Sequence, residues 1–457
     1  MKGDTRGLNS RQVEFFALGG ALGSGIFMGV GQGIHAGGPS LLLAYVLAGL
    51  VMYIVARCLG EMALNDEQGT SFVGYTMRYL GPRLAFVHGW AYWLCGAMVC
   101  MAELSAVGML VHTWLPSVPQ WSAALGGLLV LSLVNTLRVR IFGETEFVMT
   151  LVKIIALSIF LVMGVFLLLA HGSAGLPDAS VANLWRHGGF FPTGATGFLS
   201  VLPVAAFAFG GTELICLAAA ETIRPERALP RAIKGLLGRL LLFYVGTTTM
   251  IVLLVPWKDV PVNASPIVII FDHIGLPGTG EAMSLILVLV LLSSCNSFLF
   301  GMARVLRALA AAGCAPAALG RLNDNDVPEY AVATGFGFVS MAIGLNYVMP
   351  GQVFGLLMNV TAMGVVAIWA LFVVAHLRFR TSKSSGHQLV YMAPWFPASN
   401  LLVLLFFVAV TSILATDAAF RPVFAYVVAA FAVLYLLSWL CRIDRPVAAN
   451  DNDFQGA

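Results

Sequence analysis

Two glycine-rich stretches interrupt long apolar runs of this sequence. Leu18 to Phe27 read LGGALGSGIF, and Ala206 to Leu214 read AFAFGGTEL. Each lies within a run of roughly 20 apolar residues, the length that crosses a bilayer as a helix. Because glycine disfavours a helix interior by about 1 kcal/mol relative to alanine, both stretches predict interrupted membrane helices. Close helix packing through small residues is the alternative for either stretch taken alone.

The composition around these stretches is that of a membrane protein. Of the 457 residues, 59% are hydrophobic and only 10% are charged. A soluble domain normally carries about 25% charged residues. The chain has room for about twelve membrane helices with short loops, and no sizeable soluble domain fits in the remainder. These proportions exclude a cytosolic enzyme, a nucleic-acid-binding protein and a receptor with a large extracellular domain.

The positions of the apolar runs and of the basic residues predict a topology. With the N-terminus inside, 21 of the 25 Lys and Arg residues fall on the cytoplasmic side, so both termini are expected there. Apolar runs between Pro, Gly and charged residues predict twelve helices, at 14–36, 39–62, 84–113, 121–137, 147–170, 198–222, 234–255, 281–309, 329–349, 352–376, 397–416 and 419–441.

The interrupted helices are the first and the sixth, and each begins a block of five. Gly23 and Gly210 are 187 positions apart, and five crossings make the two blocks run in opposite directions. This pattern is typical of inverted-repeat secondary transporters, which bind their substrate at the midplane. The predicted organisation is a cytoplasmic tail at 1–11, a first repeat at 12–171, a second repeat at 197–378, two further helices within 395–441 and a cytoplasmic tail at 442–457.

The two breaks predict a site for an amino acid. Unwound backbone in a bilayer needs partners for its peptide groups. In the first break, amides at the start of the outer half-helix suit a carboxylate. Carbonyls there and in the sixth helix suit an ammonium, and Phe207 is a candidate aromatic lid. The candidate binding residues at the breaks are Ala21, Gly23, Ser24, Gly25, Ile26, Phe207, Ala208, Phe209 and Gly210.

The third helix offers a second candidate surface. Tyr92, Gly96, Cys100 and Glu103 follow one another at helical spacing, as an aromatic, two small residues and an acid. The stripe is either a pocket wall with room for a substrate side chain or a packing surface. Glu103 has no basic neighbour in sequence, so it is protonated, paired across helices or in contact with water. It could carry a proton or contact the substrate.

Other ionisable residues within apolar runs are candidates for coupling and gating. Lys153 lies about two turns into the fifth helix, where an ionisable residue is by default a functional hypothesis. It either exchanges a proton, stays charged where a sodium-coupled relative would hold its ion, or extends to the cytoplasmic surface. Glu213 follows the second break, where it could cap free amides. For Glu61 beside Arg57, and Glu221 beside Arg224, ordinary ion pairs are expected.

Several signals point away from other functions. The seven cysteines contain no C-x-x-C pair and no His cluster accompanies them, so neither disulfides nor a metal is expected. Gly31 to Ala36 match a dinucleotide-binding pattern only by chance, because no strand precedes them. No cofactor is expected apart from the proton gradient as energy source. The expected partners are an amino acid and the lipid bilayer, without nucleic acid, and the sequence does not fix the oligomeric state.

Five motifs in order resemble the bacterial amino acid transporter family of the amino acid–polyamine–organocation superfamily. The resemblance covers about residues 10–440. The motifs are GGALGSGIF at 19–27, LGEM at 59–62, FGETEF at 142–147, FGGTEL at 209–214 with Ala220-Glu221, and Asn296-Ser297 with Arg304.

This resemblance implies a fold, an activity and roles for residues. The fold is an all-α membrane protein with a LeuT-type 5+5 inverted repeat, discontinuous first and sixth helices and two peripheral helices. The activity is proton-driven import of a neutral amino acid, aromatic ones included, across the bacterial inner membrane. The backbone of 23–25 would hold the carboxylate, Phe207 would gate the site, and Lys153 would replace a sodium ion. Alternatives are an exchanger of the same fold, an importer of cationic amino acids and a non-transporting sensor.

Overall fold

The architecture is entirely helical in the part of the chain that the structure, a computed structural model, describes. That part comprises residues 10–65, 71–135, 139–170, 176–219, 225–262, 264–273, 278–323, 327–382, 389–416, 420–441 and 443.

Helices α1 to α11 occupy the first half of the chain. They are α1 Ser10–Ala21, α2 Val30–Gly37, α3 Leu41–Asn65, α4 Phe72–Leu80, α5 Pro82–Trp114, α6 Gln120–Asn135, α7 Val139–Leu169, α8 Asn183–Arg186, α9 Gly194–Ser200, α10 Leu202–Ala208 and α11 Leu214–Ala219, with a π-helical turn at Gly25–Gly29.

Helices α12 to α19 occupy the second half. They are α12 Pro225–Leu254, α13 Pro266–Asp272, α14 Thr279–Ala311, α15 Glu329–Val339, α16 Met341–Val348, α17 Val353–Ser382, α18 Ala398–Thr416 and α19 Arg421–Leu440.

Within the described residues, each of the twelve predicted segments overlaps helical structure. Among the described residues, nine segments are long and apolar enough to cross a membrane, so the chain is a multi-pass membrane protein. Helix boundaries differ most at two starts: α7 begins at Val139 rather than at 147, and α12 begins at Pro225 rather than at 234. The N-terminal part of α12 starts with a proline and contains several basic residues. Apolar periodicity does not detect such a polar extension of a helix.

The helix is interrupted at both glycine-rich stretches. The first interruption separates α1 from the π-helical turn, with Leu22 and Gly23 outside regular helix. The second separates α10 from α11 by five residues of turn. Within this turn, Gly211 has a φ of +94°, a conformation that residues other than glycine rarely adopt. Glycine therefore supplies conformations here that a continuous apolar helix could not adopt.

The two interruptions lie against each other in the interior. A Cβ atom placed on Gly211 would come within 2.9 Å of the carbonyl group of Gly20. A Cβ atom placed on Gly25 would come within 2.9 Å of the Cα atom of Ala208. The long helices α5, α12, α14 and α17 surround this point, with α1 packed on α12 and α14 and α10 packed on α17. The absence of side chains thus lets two backbone segments meet in the core.

Glu61 anchors the segment before α18 to the end of α3. Its carboxylate accepts from Nε2 of His376 at 3.0 Å, from Nη2 of Arg380 at 3.2 Å and from the backbone amide of Ala393 at 2.6 Å. The expected ion pair between Glu61 and Arg57 is therefore wrong. Arg57 stacks on Tyr391 instead, with its guanidinium carbon 3.9 Å from the ring centroid. Glu221 lies outside the described residues.

Replacing Glu61 by alanine should lower the free energy of unfolding by about 3 kcal/mol, because Arg380 and the His376 ring would lose a buried acceptor. Thermal melting of the purified protein in lipid nanodiscs measures this loss. Glu14→Ala is the matched control, since Glu14 pairs with Arg239 at 3.1 Å on a surface where their side chains are 22% and 44% exposed. The control should lose less than about 1 kcal/mol. Equal losses in both variants would contradict the anchoring role.

Candidate functional site

A cavity of about 20 Å³ lies between the two helix interruptions. Its backbone side is formed by Gly20, Ala21, Gly23, Gly25, Ala208 and Gly210. Its other walls are formed by side chains from four helices, namely Val99, Glu103, Phe207, Phe298, Thr361 and Val365. That space accommodates about one water molecule.

The amide side of the first interruption is occupied by Glu103 of α5. The Ser24 amide donates to both carboxylate oxygens of Glu103, at 3.0 and 3.1 Å, and the Ser24 hydroxyl donates to Oε1 at 3.2 Å. Ser294 of α14 adds a hydrogen bond to Oε1 at 3.1 Å. Of the environments left open for Glu103, the structure therefore shows pairing with groups of other helices at the edge of the cavity. An acid at this position also demonstrates that the amide side accommodates a carboxylate.

The carbonyl side of the site is bridged by Tyr244 of α12. Its hydroxyl lies 2.7 Å from the carbonyl oxygen of Ala21 and 2.5 Å from that of Ala208. A hydroxyl carries one proton, so it donates to only one of these oxygens at a time. The two carbonyls, one from each interruption, therefore retain capacity for a further donor such as an ammonium. Tyr244 stands in the sequence only as a single tyrosine within an apolar helix, which is no signal of this contact.

Phe207 closes one side of the cavity next to Gly25. Its ring carbon Cδ1 would lie 3.6 Å from a Cβ atom on Gly25, and only 7% of the residue is exposed. Two neighbouring candidates lie behind the cavity. Ile26 is fully buried, and its amide donates to the Gly23 carbonyl at 3.2 Å. The ring of Phe209 packs on that of Tyr244, with 5.0 Å between the ring centroids.

The stripe on α5 divides between the cavity and a helix interface. Glu103 lines the cavity together with Val99, which was not predicted. Gly96 and Cys100 pack on α14 instead: a Cβ atom on Gly96 would lie 2.8 Å from Cγ of Met302, and the Cys100 thiol faces the Cys295 carbonyl at 3.5 Å. The small residues of the stripe therefore let two long helices approach each other, and the cavity lies on the adjoining face of α5.

Glu213 and Tyr92 lie together beside the second interruption. The Glu213 carboxylate accepts from the Gly211 amide at 3.2 Å and from Nε1 of Trp369 at 3.3 Å. Tyr92 packs on the ring of Phe72 at 4.9 Å and lies near the Glu213 carboxylate. Glu213 therefore binds an amide of the turn itself.

Lys153 is fully buried and binds the first interruption directly. Its ammonium donates to the carbonyl oxygen of Gly19 at 2.5 Å. The side chain therefore does not extend to the cytoplasmic surface, which removes one of the three roles considered for it. Ser294, which binds Glu103, also lies 3.4 Å from the carbonyl of the next residue, Gly20. Lys153 and Glu103 thus contact adjacent parts of the same broken helix.

Glu146 is a buried acid that sequence reasoning missed. Its carboxylate accepts from Ser293 at 2.8 Å, from Thr150 at 3.3 Å and from Asn296 at 3.3 Å. It is 1% exposed, whereas its neighbour Glu144 is exposed. The signal available in the sequence was spacing, because Glu146 precedes Lys153 by seven residues and so lies on the same face of α7.

Comparison with known proteins identifies the family. A model described as amino acid permease matches residues 12–452. The chain belongs to the amino acid permease family. The permease is therefore a transporter rather than an enzyme, and the resemblance read from its motifs is confirmed.

Three relatives illustrate the similarity. The permease is 38% identical over 412 residues to the amino-acid permease AapA of Bacillus subtilis (strain 168), which covers 90% of this chain and 89% of that protein. It is 36% identical over 410 residues to the aromatic amino acid transport protein AroP of Salmonella typhimurium (strain LT2), with the same coverage of 90% and 89%. It is 36% identical over 415 residues to the uncharacterized transporter YdgF of Bacillus subtilis (strain 168), covering 90% and 91%.

Replacing Gly25 by alanine should weaken binding of every amino acid by at least about tenfold, because the added methyl group would push the two interruptions apart. Stabilisation of the purified permease against heat by each of the twenty amino acids measures binding. Gly126→Ala is the control, since a Cβ atom on Gly126 of α6 meets nothing within 4 Å. Unchanged stabilisation in the Gly25 variant would refute this location of the site.

Proposed function

We propose that this permease imports a neutral amino acid, aromatic ones included, together with a proton across the bacterial inner membrane. The chain would cross the membrane twelve times, with two inverted repeats of five helices in a LeuT-type arrangement and both termini in the cytoplasm. Alternating access would move the first, second, sixth and seventh membrane helices against the rest. AroP, named as an aromatic amino acid transporter, supports the substrate class.

One observation carries the proposal: groups of the protein itself already occupy the positions proposed for the two charged ends of an amino acid. Glu103 places a carboxylate on the Ser24 amide, and Tyr244 places a donor between the carbonyls of Ala21 and Ala208. The carboxylate of the substrate would bind the amides of 23–25, and the ammonium of the substrate would bind the carbonyls of Ala21 and Ala208. Phe207 would then close over the bound molecule.

The cavity favours a neutral side chain on the substrate. Among the described residues that line it, Glu103 is the charged one, and its carboxylate is held by Ser24 and Ser294. The side-chain walls otherwise consist of valine, phenylalanine and one threonine. A cationic substrate side chain would have no acid of its own to pair with, and an unpaired charge is costly to bury.

Competition for the Ser24 amide would couple substrate to proton. A substrate carboxylate that approaches the Ser24 amide meets the carboxylate of Glu103. Two like charges at one site favour protonation of one of them. Glu103 would therefore take up a proton as substrate binds from outside. Lys153, an ammonium bonded to Gly19, would first release its own proton inward and then, as a neutral amine, accept the proton from Glu103, while its hold on the first helix changes.

Replacing Glu103 by glutamine should remove the pH dependence of substrate binding, because the neutral amide neither repels a carboxylate nor exchanges a proton. Dissociation constants measured at a series of pH values test this outcome. The control is Glu281→Gln, which makes the same change at the exposed start of α14. A pH profile in the Glu103 variant that matches the unmodified protein would rule out the role of Glu103.

Replacing Lys153 by alanine should abolish accumulation driven by an imposed proton gradient in proteoliposomes. Exchange of internal for external amino acid should persist, since it requires no net proton movement. Lys258→Ala is the control, because Lys258 is an exposed lysine outside the long helices. Normal gradient-driven accumulation by the Lys153 variant would remove its coupling role. Unmodified permease that ignores the gradient and requires internal substrate would be an exchanger instead.

A further inference from the structure

The wall of the cavity contributed by α17 contains one hydroxyl group, that of Thr361. Thr361 is fully buried and lines the cavity together with Val365 of the same helix. Val99 of α5, Phe207 of α10 and Phe298 of α14 complete the apolar part of the walls. The hydroxyl oxygen of Thr361 has no hydrogen-bond partner among the described residues.

Most comparable hydroxyls in these helices are satisfied by their own backbone. Thr76 donates to the carbonyl of Phe72 at 2.9 Å, and Thr411 donates to the carbonyl of Phe407 at 2.7 Å, each four residues earlier. Thr361 makes no such bond to its own helix. A buried hydroxyl without a partner is unfavourable, so a group within the cavity would stabilise it.

The combination of an unpartnered hydroxyl and a cavity sets Thr361 apart. Thr247 and Thr248 of α12 also have unpartnered hydroxyls, but the described lining of the cavity includes neither of them. The opposite side of the cavity consists of the two helix interruptions, which the proposed function assigns to the charged ends of the substrate. A substrate oriented in this way would direct its side chain toward the walls of valine, phenylalanine and threonine.

We propose that Thr361 is a specificity residue that hydrogen-bonds the phenolic hydroxyl of a tyrosine substrate. The inference rests on the proposed function, since it requires an amino acid held at the interruptions. Valine and phenylalanine side chains suit the aromatic ring, and a threonine hydroxyl can both donate to and accept from a phenol. A site built to bind a substrate hydroxyl discriminates strongly against the analogue that lacks it. Thr361 would therefore make the permease prefer tyrosine to phenylalanine, whose side chains differ only in that hydroxyl.

The test compares inhibition constants of tyrosine and phenylalanine against uptake of radiolabelled phenylalanine in proteoliposomes. In Thr361→Val, which keeps the shape of the side chain, the constant for tyrosine should rise at least about tenfold while that for phenylalanine stays within about twofold. Thr361→Ser keeps the hydroxyl and should retain the preference. Thr247→Val is the matched control, because it removes a buried, unpartnered hydroxyl away from the cavity lining.

The outcomes separate this inference from the function on which it rests. A parallel change for both amino acids in Thr361→Val, or no change for either, would overturn the role of Thr361 and leave the transport function standing. Absence of the preference in the unmodified protein would also overturn it. If neither aromatic amino acid is transported while others are, the proposed substrate class fails together with the inference.

Discussion

Peptide groups released within a membrane helix need partners, and that requirement organises the interior of this permease. The bilayer core supplies no water to satisfy an open amide or carbonyl. At the first interruption the Ser24 amide is bound by Glu103, and the Gly19 carbonyl is bound by Lys153. Carbonyls of both interruptions share Tyr244. The buried polar residues of α5, α7 and α12 thus have a common reason to be there.

The same requirement joins binding to coupling in the proposed mechanism. A site whose groups are already satisfied by the protein admits a substrate by exchange: one carboxylate replaces another, and an ammonium joins a hydroxyl. Exchange of this kind changes the charge that Glu103 can carry. Since Glu103 and Lys153 contact adjacent parts of one broken helix, a change of charge at either would alter how that helix is held.

Local patterns in the sequence predicted the helices and both interruptions, since glycine content and apolar length act within a single segment. They also marked Lys153 and Glu103, because an ionisable residue in an apolar run is conspicuous. Their partners were not predictable: Glu103 and Ser24 are 79 residues apart, and Tyr244 and Ala21 are 223 apart. The small residues Gly96 and Cys100 carried an ambiguous signal, because helix packing and a pocket wall use the same residue types. Thr361 depends on three-dimensional surroundings that spacing alone does not encode.

A density map of the permease in nanodiscs with saturating tyrosine or phenylalanine tests the central claim most directly. The account predicts ligand density between the two interruptions, with its carboxylate at the amides of 23–25 and its ammonium at the carbonyls of Ala21 and Ala208. The Glu103 side chain should have moved away from the Ser24 amide. Ligand density elsewhere, or first and sixth helices that continue unbroken through the membrane, would contradict the account.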